Sequence, residues 1–134
     1  MEYSVAILGQ RGVDDMASTY EGPTKALDEH EAVVAGNPEV ERKGATMPYT
    51  SLNGHMFSFV DKTGAMALRL PEDQRDEFIA TYETGLAEQH GRIMKEFVVV
   101  PETLLQDTAS LQVWFDLSHK WIGTLKPKPT KRRN

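Results

Sequence analysis

Polar and apolar residues alternate from Met47 to Leu70, MPYTSLNGHMFSFVDKTGAMALRL, with two interruptions rich in turn formers. Alternation of that kind predicts strands with one buried face. The first interruption, Asn53-Gly54, suits a type I′ turn, whose two central residues both need positive φ. The second, Asp61-Lys62-Thr63-Gly64, reads as a four-residue turn closed by glycine. Together they predict three antiparallel strands, with Leu52 opposite His55, Thr50 opposite Phe57, Pro48 opposite Phe59, Phe59 opposite Met66 and Phe57 opposite Leu68. One face then collects Phe57, Phe59, Met66, Leu68 and Leu70 as a core face. The other collects Tyr49, Ser51, Met56, Ser58, Val60, Ala65, Ala67 and Arg69, with Arg69 its only charge.

The flanking segments carry helical spacing instead. Gly22-Pro23 opens a helix with a stripe of Ala26, Leu27, His30, Val33 and Val34, and Gly36-Asn37-Pro38 stops it. Pro71 opens a second, with Glu72, Asp73, Asp76 and Glu77 in its first turns, where the helix dipole favours anions. Phe78, Ile79 and Tyr82 form its buried stripe, and Gly85 ends it. No period stands out between Gly85 and Met94, so only a short strand near Leu86 is expected there. Phe97-Val98-Val99-Val100 is a continuous apolar run, expected of a strand covered on both sides, and the firm strand spans Lys95 to Val100. Pro101 ends that strand and starts a helical turn. The last helix, with Thr108 as its expected cap, has the cleanest period: Leu111, Trp114, Phe115, Ser118, Trp121, Ile122 and Leu125. Lys126-Pro127-Lys128-Pro129 then takes the chain out of the fold as an extended tail.

The predicted fold class is α+β, a two-layer sandwich ordered α-β(3)-α-β(2)-α around a mainly antiparallel five-stranded sheet. Residues 1–21 read as a loosely held leader, 22–125 as one domain and 126–134 as a basic Pro/Lys tail. At 134 residues a single core suffices without staples. The chain has no cysteine, which removes disulfides, thiolate metal sites and cysteine nucleophiles. No apolar run approaches the roughly 18 residues a membrane span needs, and no signal-peptide pattern opens the chain, so no membrane contact and a cytoplasmic location are expected.

Net charge is −5, and its distribution matters more than its size. The tail from Lys126 onward holds five basic residues and no acidic one, leaving ten basic against twenty acidic residues on the body. A body so acidic repels a phosphate backbone, so any polyanion contact falls to Lys126, Lys128, Lys131, Arg132 and Arg133. No aromatic residue is interleaved there for base stacking.

Catalytic patterns are missing. Gly9 and Gly12 lack the spacing and the lysine of a phosphate loop. Asp116, Ser118 and His119 have a nucleophile's ingredients, but neighbours one and two apart on a helix do not face each other. The four histidines, His30, His55, His90 and His119, show no metal-ligand spacing; His55 and His90, in a turn and a loop, are the pair whose convergence the fold could produce. No catalytic residue, metal or cofactor is therefore expected, and the chain reads as non-enzymatic.

Three stretches carry a resemblance. Lys43-Gly44-Ala45-Thr46-Met47-Pro48-Tyr49 with Asn53-Gly54-His55-Met56-Phe57, then Lys95-Glu96-Phe97-Val98-Val99-Val100-Pro101, then Leu125-Lys126-Pro127-Lys128-Pro129 resemble the TfoX N-terminal-domain-like proteins, over about Pro38 to Lys131. The resemblance implies the α-β(3)-α-β(2)-α sandwich of the YjbR-like, secretion-chaperone-like fold group and a regulatory setting, and it transfers no catalytic residue.

These readings converge on an interaction or regulatory module working through protein contacts, with a protein partner or a second copy in a homodimer. The expected surface is the weakly charged second sheet face: Tyr49, Met56, Val60, Ala65, Ala67 and Arg69. One alternative is a transcription-related regulator touching nucleic acid weakly through the tail. Another is a small-ligand or enzymatic site in the groove between last helix and sheet, near Trp114, Trp121 and His55.

Overall fold

A computed structural model describes residues 19–128. The element order is α1 (Thr24–Ala35), β1 (Tyr49–Leu52), β2 (His55–Val60), β3 (Met66–Arg69), α2 (Glu72–Tyr82), β4 (Leu86–Gln89), β5 (Arg92–Val100), α3 (Glu102–Leu105) and α4 (Thr108–Ile122). The strands form one sheet in the order β1-β2-β3-β5-β4, every neighbouring pair antiparallel. This is the predicted α+β arrangement. The helices pack on one face: Ala26, Val33 and Val34 of α1, Phe78 of α2, Leu104 and Leu105 of α3 and Leu111, Phe115 and Ile122 of α4 close over Phe57, Val60, Met66, Leu68, Leu70, Val98 and Val100. α4 is capped by Asp107, whose side chain accepts from the Ser110 amide at 3.2 Å, and not by Thr108, which is its first helical residue.

The first hairpin has the predicted turn, with φ of 55° at Asn53 and 82° at Gly54 and Leu52 opposite His55. Beyond it the predicted register fails. Ser51 pairs with Met56 but Thr50 pairs with Ser58, so Phe57 is the extra residue of a β-bulge. Phe57 and Ser58 therefore both point toward the helices, and the alternation resumes one residue out of step. The second turn adds a further offset. Asp61 donates its amide to Ala65 O and Gly64 its amide to Asp61 O, each at 3.0 Å, with Gly64 at φ 93°, so the loop is three residues with a left-handed glycine at its end. Val60, not Phe59, then faces Met66. As a result Val60 and Ser58, expected on the second face, lie in the helix-side core, while Phe59, expected in that core, lies on the second face.

The segment without a period, Gly85 to Met94, folds as a second tight hairpin. His90 and Gly91 both take positive φ, 53° and 76°, as a two-residue type I′ turn requires. This hairpin does not extend the sheet plane. Leu86 faces Val98, but Ala87 faces Met94, so three residues of β5 are skipped at one step. Gln89 pairs with Arg92, eight residues before Val100 along β5, and a straight strand would put roughly 26 Å between those ends. Yet Gln89 donates its amide to Asp61 Oδ2 at 3.0 Å, beside the Val100 end. The hairpin is thus bent back across the second face, and Ala87 joins Phe59, Ala67 and Phe97 in a second buried cluster.

Candidate interaction surface

On the second face Tyr49, Met56, Met94 and Val99 are half-buried around the cluster of Phe59, Ala67, Ala87 and Phe97, whose Phe59 and Phe97 rings pack 5.5 Å apart. Of the residues expected to form an open interface, Tyr49 and Met56 lie on the rim. Ala67 is buried beneath the folded-back hairpin, and Val60 is fully enclosed on the opposite side. Ala65 sits in the second turn, its amide bonded to Asp61 Oδ1 at 3.0 Å. The missed signal is His90-Gly91: a residue before glycine at hairpin spacing, but without the asparagine that marks Asn53-Gly54 so clearly.

Arg69 closes the other end of the sheet. Its Nε and Nη2 reach Glu96 Oε1 at 2.7 and 2.6 Å, and its guanidinium carbon stands 5.6 Å from the centre of the Trp121 ring. Its Nη1 lies 3.5 Å from His55 Nδ1. His55 Nε2 lies 2.9 Å from Lys126 O, and the Lys128 amide donates to Asn53 O at 2.7 Å. The tail therefore does not leave at Lys126 as expected: residues 126–128 form a strap along the first hairpin turn. Lys126 and Lys128 are exposed on it, whereas Lys131, Arg132 and Arg133 lie outside the described residues. The described end of the leader is also attached, because Tyr20 donates its hydroxyl to Asp61 O at 2.7 Å.

Gly54 serves strap and turn together. A Cβ there would stand 2.1 Å from Lys128 O, and its φ of 82° disfavours any other residue. Gly54→Ala is expected to cost about 1–2 kcal/mol in urea unfolding and to release the Lys128 amide to rapid exchange. Unchanged protection of that amide would contradict this seat.

The chemical candidates separate. His90 lines a cavity of about 270 Å³ with Glu21, Thr46, Met47, Asp61, Lys62 and Gln89. It lies at the Asp61 end of β2, and His55 begins the strand at the other, so the two do not converge. Burial pushes the Asp61 carboxyl upward, but hydrogen bonds from Thr63, Ala65 and Gln89 outweigh it and hold it below its ordinary range. These bonds staple turn to hairpin. No three potential ligands gather for a metal among the described residues. Trp114 donates to the Tyr82 hydroxyl at 3.1 Å and meets Phe78 edge-on at 5.1 Å, so it locks α2 to α4. Ser118 is buried and donates to Arg69 O at 2.5 Å, while the His119 ring packs 5.7 Å from Phe57. Asp116 accepts from Asn37 and Gln112.

His30, one of the stripe residues of α1, is completely buried. Its Nε2 lies 3.0 Å from Ser58 Oγ, which lies 2.6 Å from Thr50 Oγ1, and its Nδ1 has no partner among the described residues. A serine beside a histidine is a nucleophile's geometry, but all three side chains are sealed from solvent.

Compared with family models, with curated proteins and with solved structures, the chain matches none. No helix among the described residues is long and apolar enough to cross a membrane.

Proposed function

We propose that this chain is a TfoX N-terminal-like interaction module that acts through protein contacts, in the first instance with a second copy of itself. The reading is supported by the element order, which is the one the resemblance implies, and by polar groups that serve turns, caps and packing. One observation carries it: among the described residues the folded-back hairpin presents β4 as an edge strand with no further strand beside it, and Leu86 of β4, 37% exposed, and Ile93 of its partner β5, 56% exposed, add to the half-exposed rim of Met56 and Tyr49. An unpaired edge with apolar side chains is a template for a partner strand. Sedimentation of the full chain is expected to show a dimer that persists at high salt. Ile93→Glu with Met56→Glu should yield a folded monomer. Ala67 is unsuitable for this test because it is buried. A monomeric wild type at high concentration would sink the self-association reading.

A second reading rests on the strap, which holds Lys126 and Lys128 exposed at a fixed corner. In that reading the basic tail touches a polyanion, with no regulation of a particular process implied. The full chain should be retained on a polyanion column at low salt, and deletion of residues 126–134 should abolish retention. Failure of the intact protein to bind would end this reading.

A further inference from the structure

The strap is held through an imidazole, and the chemistry around that imidazole fixes its proton. Arg69 Nη1 has only hydrogens to offer, so His55 Nδ1, 3.5 Å away, must be the bare nitrogen. The ring proton is then on Nε2, which donates to Lys126 O at 2.9 Å. Next to that bond the Lys128 amide reaches Asn53 O, and Gly54 leaves room for the strap backbone. We propose that the strap is a proton-sensitive clasp: neutral His55 holds residues 126–128 on the first hairpin turn, and protonation of His55 loosens them.

A proton added at Nδ1 points at a guanidinium and turns an acceptor toward a donor that cannot accept. The charged groups shown at this corner are Arg69 from β3 and Glu96 from β5, while the strap offers His55 the Lys126 carbonyl. Glu96 is already engaged by two nitrogens of Arg69, and α4 contributes the uncharged Trp121 ring, 5.6 Å from the guanidinium carbon. The imidazolium therefore meets the Arg69 cation, whose carboxylate partner Glu96 is already committed to it. The least costly response is to swing His55 away from Arg69, which breaks its bond to Lys126 O. Among the described residues the hold on Lys128 then rests on its amide bond to Asn53 O. This inference stands independently of both readings above, because it concerns the freedom of the strap and not what the tail or the edge strand touches.

Amide exchange and imidazole nitrogen NMR on the full chain test it between pH 7.5 and 5.5. At pH 7.5 the His55 resonances should show the Nε2–H form. On acidification Lys128 exchange, corrected for its intrinsic rate, should rise about tenfold or more, with the midpoint of His55's own titration. The Val98 and Leu68 amides at the sheet centre are the internal reference, since a global loss of stability would move them too. In His55→Gln, which cannot take a proton, Lys128 should show no pH response, whatever its level of protection. An Nδ1–H form at pH 7.5, equal Lys128 protection at both pH values, a midpoint different from that of His55, or a pH response surviving in His55→Gln would each overturn the proposal.

Discussion

Phe57→Ala is expected to destabilise the fold by about 3–5 kcal/mol, against the roughly 5–15 kcal/mol by which a domain of this kind is stable. The Phe57 ring is fully buried, packing 5.4 Å from Phe115 of α4 and 5.7 Å from His119, so alanine leaves a cavity between sheet and helix that neither rigid layer can fill. Urea unfolding measures the loss. The informative companion is Phe59, two residues away. Without the bulge Phe57 and Phe59 would share a face, and both would couple to Phe115. With it, Phe59 packs on Phe97 across the sheet. A double-mutant cycle with Phe115→Ala should therefore give about 0.5–1.5 kcal/mol of coupling for Phe57 and essentially none for Phe59. Phe59→Ala should instead speed amide exchange along Ala87 to Met94, the hairpin that covers it. Equal coupling of both rings to Phe115 would show the bulge to be wrong.

That bulge marks the limit of what could be read from the chain. Local signals were legible wherever one mechanism decided the outcome: Asn53-Gly54 needed positive φ, Gly36 and Pro71 bounded helices, and the stripe from Leu111 to Ile122 has one period and one place to go. Faces were harder, because a sheet's period is two and a single extra residue reverses every later assignment. HMFSFV offers Phe57 and Phe59 as an alternating pair, and nothing local says that Ser58 turns inward. What turns it inward is tertiary: Thr50 from β1 and His30 from α1 meet its hydroxyl in the core. Met66 and Leu68 of β3, with Leu70 just after it, fell on the expected side because no bulge interrupts their alternation.

The candidate surface suffered from the same cause and from one more. Val60 moved to the core with the register, whereas Ala67 stayed on its predicted face and was covered by a hairpin whose turn is His90-Gly91. The weak charge of the second face was a correct observation with a different explanation. Phe59, Ala67 and Phe97 on that face are packed against Ala87 and Met94 of the folded-back hairpin, and only the rim of Tyr49 and Met56 remains for a partner. Likewise the tail's prolines did announce an extended segment, but its attachment depends on a backbone bond to Asn53 and on the position of His55, neither of which composition can report.

The inward turn of Ser58 sets up the second large effect, a loss of stability in mild acid. Burial, together with the nearby Arg42 guanidinium, lowers the His30 pKa from 6.5 to about 4. In the unfolded chain the ring titrates at its ordinary value. Between those two values the unfolded state holds a proton that the folded state refuses, so stability rises with pH across the window. The contribution is complete above pH 6.5, falls as pH drops, and is gone below about 4. Its total is on the order of 3 kcal/mol, from about 1.4 kcal/mol for each unit of pKa difference. Unfolding free energies of the wild type and of His30→Met, measured from pH 7.5 to 3.5, isolate it because the carboxylates contribute alike to both. At pH 7.5 the variant should be the less stable, since Ser58 loses a hydrogen-bond partner and keeps only Thr50. As pH falls the two curves should approach and then cross, the difference shifting by about 3 kcal/mol in the variant's favour with most of the shift between pH 6.5 and 4. Parallel curves would mean that His30 accepts its proton inside the fold, which its sealed position between α1 and the bulge forbids unless α1 lifts from the sheet. The acid limit of this protein would then be set by carboxylates such as Asp61, whose turn-stapling bonds fail only when it is protonated at lower pH.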